Sequence, residues 1–310
     1  MHLVITSAED ATAHLLCERL GGQVLRVNWE AWEQYDIEID AHGFRLSDRY
    51  GREVTNTTLG NILWRKPVPS VSRTQGERWY GFQEFRAGVT AILGEVRRQA
   101  PEKLLVDPER LARTDRFHQL RTASRHLTTP NWVYTSTPSR GNWCGRRWVV
   151  KSMAGQPIPY SGPPDRVMFT RAVDPGDLAD GWPWLVQELI DAPYDLTVVY
   201  VNGVCFGFLL ERAFLPGLDW REAIGTQLAD SGWRPVTLSA GVEKALRDTM
   251  ADLELRFGRL DLLAHDADCR DVVFLEVNAN GQWAWLDIDG RHGVMEAVVR
   301  FITASNDPVA

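Results

Sequence analysis

The 310-residue chain is short of several things that would narrow its chemistry. It has four cysteines, Cys17, Cys144, Cys205 and Cys269, far apart and without a Cys-x-x-Cys spacing. That pattern gives no cysteine zinc site and no disulfide framework, and it fits a reducing compartment. No apolar run approaches ~18 residues, so no membrane span is expected. The opening Met1-His-Leu-Val-Ile-Thr-Ser7 is a short apolar run followed at once by acids, which reads as a first strand and not a signal peptide. The cytoplasm follows as the default location. Basic charge is not in excess either. A net charge of −7 argues against a nucleic-acid binder that works by neutralising phosphates, while leaving room for local basic pockets. There is no Gly-x-Gly-x-x-Gly and no P-loop, which disfavours a Walker-type NTPase. The seven histidines are scattered, with His118, His126 and His265 read as structural, and no Ser/His/Asp or Cys/His set suggests a nucleophilic triad. Repeats and low-complexity tracts are absent.

What is present is a folded α/β chain of two or three subdomains. An apolar content of 44% supports a sizeable core, and 24% charged residues argue against wholesale disorder. The thirteen tryptophans read mainly as core or groove lining. His2–Thr6, a helix over Glu9–Leu20 stopped by Gly21-Gly22, and Val24–Val27 form a β-α-β opening. Tyr35–Ile39 and Phe44–Leu46 read as a hairpin with His42-Gly43 at its turn, and Leu59–Trp64 as another strand. Phe82, Phe85, Val89, Ile92 and Val96 recur at helical spacing within Arg78–Arg98. Pro101 and Pro108 mark a boundary near residue 110. Beyond it, a helix over Asp115–His126 has Thr114 as N-cap. Strands are expected at Trp132–Thr135, Arg147–Lys151 and Val167–Thr170, and Trp184–Ile190 reads as buried. Asn202-Gly203 between Leu196–Val201 and Val204–Leu210 is the strongest short-range turn signal. Val236–Phe257 reads as mainly helix, and Gly293–Thr303 as the closing helix.

The most informative stretch is Arg259–His265 followed by Val272–Gly281, two apolar strands joined by the polar turn Asp266–Asp271. An antiparallel hairpin centred on that turn sets Asp261 opposite Glu276. Period two puts Glu276 and Asn278 on one face, with Leu275 and Val277 alternating as a half-buried strand requires. Two carboxylates that close raise each other's pKa unless a cation lies between them. Oxygen ligands from a few side chains, completed by water and phosphate, suit Mg²⁺. The alternative is a solvated hairpin whose acids are surface decoration.

Lys151 after Trp148-Val-Val, then Gln187-Glu-Leu-Ile190, Asp195, Asp261 and Glu276-x-Asn278 form an ordered series that resembles the ATP-grasp superfamily of carboxylate–amine ligases. Trp64-Arg-Lys-Pro67, Gln119-Leu120, Phe169-Thr-Arg171, Asp219-Trp-Arg221 and Phe274-Leu-Glu-Val-Asn-Ala-Asn-Gly-Gln-Trp283 are similar to motifs of its graspetide (microviridin-type) peptide macrocyclases. The last motif is the most specific, and the likeness spans about residues 60 to 303. It implies an α/β ATP-grasp architecture: an N-terminal α/β domain over 1–110, a central subdomain over 111–190 and a C-terminal subdomain with the metal site over 191–310. The nucleotide would lie between the last two.

The resemblance also implies roles. Lys151 would meet the α- and β-phosphates. Gln187, Glu188 and Ile190 would form the adenine hinge, and Asp195 would accept from the ribose hydroxyls. Arg212 is a further phosphate candidate. Asp261, Glu276 and Asn278 would hold two Mg²⁺ ions. Arg221 would clamp the substrate carboxylate and Arg259 the transferred phosphoryl group, while Asn280 and Gln282 could orient an acyl intermediate or simply serve turn chemistry. Two departures stand out. Arg116 occupies a position where the family carries lysine, and a Gly-rich phosphate flap is poorly defined, with Met153–Pro159 and Tyr160–Pro164 as candidates. The expected activity is ATP-dependent activation of Asp or Glu side chains of a ribosomally made precursor peptide as acyl phosphates. Capture by Ser/Thr or Lys would then form ester or amide cross-links. Leader docking near the central region and a homodimer also follow from the resemblance. The alternatives are a ligase acting on free amino acids or a protein C-terminus, and a non-catalytic nucleotide- or peptide-binding module.

Overall fold

The computed structural model describes residues 1–67, 71–153, 169–223 and 232–304. Four parallel strands form the first sheet in the order β2 (Val24–Asn28), β1 (His2–Thr6), β6 (Ile62–Trp64), β7 (Leu104–Val106). Between β1 and β2 runs α1 (Ala11–Leu20). Asp10 caps it by accepting from the Ala13 N–H, and Gly21 ends it at φ +56°, a left-handed conformation glycine adopts freely. The long helix α2 (Glu77–Gln99) buries Phe82, Phe85, Val89, Ile92 and Val96, the face the periodicity selects. These residues pack on Leu3, Ile5, Leu25 and Val27 of the sheet.

A small antiparallel sheet, β3 (Tyr35–Asp40), β4 (Gly43–Asp48) and β5 (Glu53–Thr55), covers the same core. Its turn residues are Ala41-His42, one position earlier than expected. The Asp40 carboxylate accepts from the His42 and Gly43 N–H groups and fixes the turn there. The expected strand over Leu59–Trp64 shortens to Ile62–Trp64.

The middle of the chain has α3 (Pro108–Arg113), α4 (Arg116–Ala123) and an antiparallel sheet ordered β10 (Arg171–Val173), β9 (Trp148–Lys151), β11 (Trp184–Glu188), β8 (Trp132–Thr135). The cap of α4 is Asp115, not Thr114. Its carboxylate accepts from the Phe117 and His118 N–H groups, while the Thr114 hydroxyl donates to the Arg110 carbonyl. The helix ends at Ala123, short of His126. Of the strand expected at Val167–Thr170, residues 167 and 168 lie outside the described residues, and the strand observed starts at Arg171. The flap candidates fall almost wholly on residues 154–164, also outside the described residues.

The last sheet has five antiparallel strands ordered β14 (Arg234–Val236), β13 (Val204–Glu211), β12 (Tyr194–Val201), β15 (Phe257–Ala264), β16 (Val272–Asn278). Asn202 and Gly203 both have positive φ, 45° and 96°, as a two-residue hairpin turn of this hand demands. The helix expected across Val236–Phe257 is only α5 (Ala240–Asp252). Ser239 caps its start, and Glu254 at φ 55° turns the chain out of it, so that Phe257 already belongs to β15. The closing helix is α6 (Val294–Thr303), after Gly293. Leu246 and Met250 of α5 and Leu120 of α4 pack under Leu196, Leu260, Leu262 and Phe274. On the other side, α1 and α6 join Val199, Phe208 and Trp283 to one face of the parallel sheet, through Val4, Val24, Leu63 and Val106. No helix among the described residues is long and apolar enough to cross a membrane.

Leu246 is fully buried beneath the five-stranded sheet. Leu246→Ala should cost about 2–5 kcal/mol through lost transfer energy and a cavity, read as a lowered urea midpoint at unchanged slope.

Candidate functional site

The β15–β16 ribbon pairs as its sequence requires. Asp261 stands directly opposite Glu276, and Arg259 opposite Asn278. A bulge interrupts the ladder between Asp261 and Leu262, whose partners jump from Glu276 to Phe274. Leu275 is the extra residue. The expectation that Leu275 simply alternates with the polar pair is therefore corrected. An inserted residue reverses the facing of everything beyond it. Phe274 thereby enters the core beneath the sheet. Leu275 instead packs with Ile190, Ala192, Leu263 and Val273 and lines a cleft beside Glu276.

That cleft encloses about 830 Å³ counted to its open mouth. It lies between β9 and β11 of the central sheet and the ribbon of the last sheet. Lys151, Gln187, Glu188, Ile190, Asp195, Arg212, Arg221, Arg259, Asp261, Glu276 and Asn278 all line it. Arg116 reaches it from the first turn of α4 by pairing with Glu276, and it also donates to the Ser152 carbonyl at 3.2 Å. The sequence-selected residues thus converge on one place.

Opposite charges are paired around the cleft. Arg116 meets Glu276. Arg212 Nη1 lies 2.9 Å from Asp195, Arg221 Nη2 2.5 Å from Asp219, and Arg259 Nη2 3.0 Å from Asp261. Lys151 has no hydrogen-bond or ion-pair partner among the described residues. Burial pushes its ammonium down to about 8, with Glu276 pulling it up and Arg116 pushing it further down. Burial alone would raise Glu276, but Arg116, Lys151, Arg221 and Arg259 together hold it below the ordinary glutamate value. Asp219 shows the same balance. Burial opposes ionisation, and hydrogen bonds from Arg221 and from the Thr170 N–H outweigh it.

Two polar atoms in the cleft wall lack a partner. Gln187 is 1% exposed, and among the described residues its Nε2 has no acceptor and Asp195 Oδ2 no donor. A buried amide or carboxylate atom left so costs free energy until a ligand satisfies it. A donor at Gln187 and an acceptor at Asp195 fit a purine ring atom and a ribose hydroxyl. Glu188 differs: its carboxylate turns away to Asn131 and Arg146, so any hinge role falls to its backbone.

The oxygens of Asp261 and Glu276 are already engaged. Asp261 accepts from Thr197 Oγ1 at 2.8 Å, from Arg259 and from Asn278 Nδ2 at 2.9 Å. Among the described residues no group of three or more His, Cys, Asp or Glu side chains is placed to hold a metal ion. Two carboxylates and an amide do meet, and metal binding there requires Asn278 to present its oxygen where its nitrogen now points. Asn280 and Gln282 are not in this cleft. Both accept from Arg65, and Gln282 Oε1 also accepts from Thr12 at 2.7 Å, so they anchor the ribbon's end to the first sheet.

Sequence reasoning did not single out Thr197, Thr170 or Trp220. Trp220 stands in the Asp219-Trp-Arg221 motif and lies 5.8 Å from the Arg259 guanidinium, so the signal was there. Thr197 carried none, because only strand pairing brings it opposite Asp261.

The fold is that of ATP-grasp ligases. A RiPP-associated ATP-grasp ligase from Chryseobacterium gregarium, solved with ADP and a leader and core peptide, matches with a TM-score of 0.81 at 19% identity over 97% of this chain and 96% of that one. The macrocyclase MdnC from Microcystis aeruginosa, bound to the precursor peptide MdnA, matches with a TM-score of 0.78 at 17% identity over 98% and 99%. The ATP-grasp ligase PsnB, solved with a phosphomimetic minimal precursor, Mg and ADP, gives 0.72 at 15% identity over 97% and 95%. No family model and no curated protein matches the sequence.

Burial raises the Asp195 carboxyl to about 6, with Arg212 opposing and Asp261 adding to the rise. A carboxyl whose folded pKa is raised contributes stability below its unfolded pKa and loses it as pH climbs through the folded value. The wild type should therefore lose stability relative to Asp195→Asn between about pH 4 and 6, by on the order of 3 kcal/mol. Urea titrations of both proteins across that range check it, and parallel curves would refute it.

Proposed function

We propose that the protein is an ATP-dependent carboxylate ligase that cross-links a ribosomally made precursor peptide. The observation that carries this reading is the composition of a single cleft in an ATP-grasp fold. An uncommitted Lys151, an orphaned donor on Gln187 and an orphaned acceptor on Asp195 face the paired acids Asp261 and Glu276. The polypeptide substrate is suggested by the neighbours solved with precursor peptides.

In this reading Gln187 and the Glu188–Ile190 backbone hold the adenine, Asp195 the ribose, and Lys151 with Arg212 the inner phosphates. A carboxylate oxygen of an Asp or Glu side chain attacks the γ-phosphorus of ATP, the bond to the bridging oxygen breaks, and ADP leaves. A Ser/Thr hydroxyl or Lys amine of the peptide then attacks the acyl carbon, phosphate departs, and the nucleophile gives up its proton. The activation is needed because a free carboxylate offers only oxide as leaving group. Asp261, Glu276 and Asn278 would hold Mg²⁺, with two ions expected. Held there, Mg²⁺ would supply positive charge against the negative charge gathering on the transferred phosphoryl group. Arg221, its fork fixed by Asp219, positions the incoming carboxylate, and Arg259 stabilises the phosphoryl oxygens. Arg116 takes the place of the family's lysine. It keeps the charge but is tied to Glu276, so nucleotide entry must loosen that pair. No covalent enzyme nucleophile is required. The protein contributes positioning, charge and exclusion of water.

Purified protein given ATP, Mg²⁺ and an acid- and hydroxyl-rich precursor peptide should release ADP and phosphate and remove one water from the peptide per cross-link, read by mass spectrometry. Glu276→Gln should keep the fold and lose about a thousandfold or more in turnover. Nucleotide binding without any change in peptide mass would favour a binding module, and full activity in Glu276→Gln would remove the metal assignment.

A further inference from the structure

Arg221 and Arg259 are held alike along one edge. Asp219 accepts from Arg221 Nε at 2.8 Å and Nη2 at 2.5 Å, and Asp261 accepts from Arg259 Nε at 3.2 Å and Nη2 at 3.0 Å. A planar fork fixed along one edge can still tilt about it. Arg259 carries further restraints. Its Nη1 donates to the Gln282 carbonyl at 3.1 Å. Its guanidinium carbon lies over the Trp220 ring, 5.8 Å from the centroid, within reach of a cation–π contact. Its stem is hemmed in as well, since a Cβ added at Gly281 would come within 2.9 Å of Arg259 Cβ. Nε and one N–H on each Nη are thereby engaged, and the second N–H on each Nη stays unclaimed among the described residues. That pair is available to an anion in the cleft.

Trp220 is itself braced. Its ring centroid lies 5.6 Å from that of Trp233, nearly perpendicular at 85°, and 5.5 Å from that of Trp285, tilted by 35°. Trp233 and Trp285 close the triangle at 5.6 Å and 66°. Edge-on and tilted contacts at this spacing are arrangements that aromatic rings favour. The three residues come from separate segments: the loop after β13, the approach to β14, and the short helical turn Ala284–Leu286 beyond the acidic ribbon. Trp233 and Trp285 also pack against the core that holds Val199, Phe208 and Trp283. An unbroken line of contact thus runs from the core through two indoles to Trp220 and on to Arg259. Trp220 stands between Asp219 and Arg221, so neighbouring residues reach both arginines, Asp219 by its carboxylate and Trp220 by its ring face.

We propose that Trp220, braced by Trp233 and Trp285, is a positioning residue that aims the Arg259 guanidinium at the terminal phosphoryl group of the nucleotide. The proposal rests on the placing of Arg259 in the reading above and deepens it. An indole suits the task because it attracts a guanidinium through its face and takes up none of the N–H groups, so the unclaimed pair is left for phosphoryl oxygens. A second carboxylate in its place would draw on those same N–H groups, and an aliphatic side chain would hold the plane weakly. The gain is one of aim: a clamp that tilts by a fraction of its hydrogen-bond length loses the two-bonded grip that a tetrahedral phosphoryl group offers. Trp233 and Trp285 act through Trp220 and touch neither arginine's bonding edge.

Calorimetry with Mg²⁺ present, using ADP and the non-hydrolysable ATP analogue AMPPNP as probes, tests this by a double-mutant cycle. The wild type should prefer AMPPNP to ADP, and Arg259→Gln should remove most of that preference. Trp220→Leu should reduce the preference about fivefold while ADP affinity stays within about twofold. Trp220→Phe should recover part of the loss, and Trp285→Leu should lower the preference by a smaller factor. In the Arg259→Gln background, Trp220→Leu should change the preference no further, because the residue through which it acts is gone. Should Trp220→Leu not fold, Trp220→Phe carries the same cycle with a smaller loss. Undiminished AMPPNP preference in the Trp220 variants, or an equal loss in both backgrounds, would overturn the positioning role. A preference that survives Arg259→Gln would instead refute the underlying placement of Arg259, and the proposal with it. The cycle uses no peptide, so its outcome is independent of whether the chain cross-links one.

Discussion

Two carboxylates held face to face on neighbouring strands repel each other, and the surroundings of the cleft are arranged around that fact. Asp261 and Glu276 have no freedom to separate, because the ladder fixes their backbones across from each other. Cations from four different segments supply the compensation: Arg116 from α4, Lys151 from β9, Arg221 from the loop after β13, and Arg259 from the same strand as Asp261. Cationic cover keeps Glu276 ionised despite burial. The guanidinium forks supply the positive charge that the paired acids require.

The bulge at Leu275 serves the same end by other means. A regular ladder would have aimed Phe274 into the cleft and pulled Leu275 under the sheet. With one extra residue, the aromatic ring stays in the core while a smaller aliphatic side chain joins Ile190 and Leu263 as the apolar floor. Polar and apolar halves of the cleft are thus set by a single irregularity in one strand.

Much of this was readable in the sequence. The pairing of Asp261 with Glu276 follows from the position of a polar turn. The buried face of α2 follows from helical spacing, and the β12–β13 turn from Asn-Gly. The misses have local causes. The cap of α4 moved to Asp115 because its carboxylate reaches two free N–H groups, while Thr114 found a partner behind it. The helix spans 240–252 and not 236–257 because the apolar pattern of α5 runs on into β15, with Glu254 in a left-handed conformation between them. The bulge left no mark in composition, since Phe274-Leu-Glu276 reads the same with or without it. Thr197 became visible only once strands far apart in sequence were paired. Local rules located the elements, while the contacts that tune the cleft depended on three-dimensional register.

The buried Arg65 gives one last consequence. Its guanidinium closes the carbonyls of residues 280 and 281, and Asn61 nearby donates to the carbonyls of Phe301, Ile302 and Ala304 at the end of α6. Both donors flank β6, an inner strand of the parallel sheet, yet they satisfy the far end of the chain. The first sixty-odd residues therefore cannot be treated as a detachable module. Transplanting the rest of the chain onto another amino-terminal partner would strand five backbone acceptors without donors and loosen the loop that follows the acidic ribbon. Evolution or engineering that exchanges this layer must carry an arginine and an asparagine to the same two points, or redesign the ribbon's exit along with it.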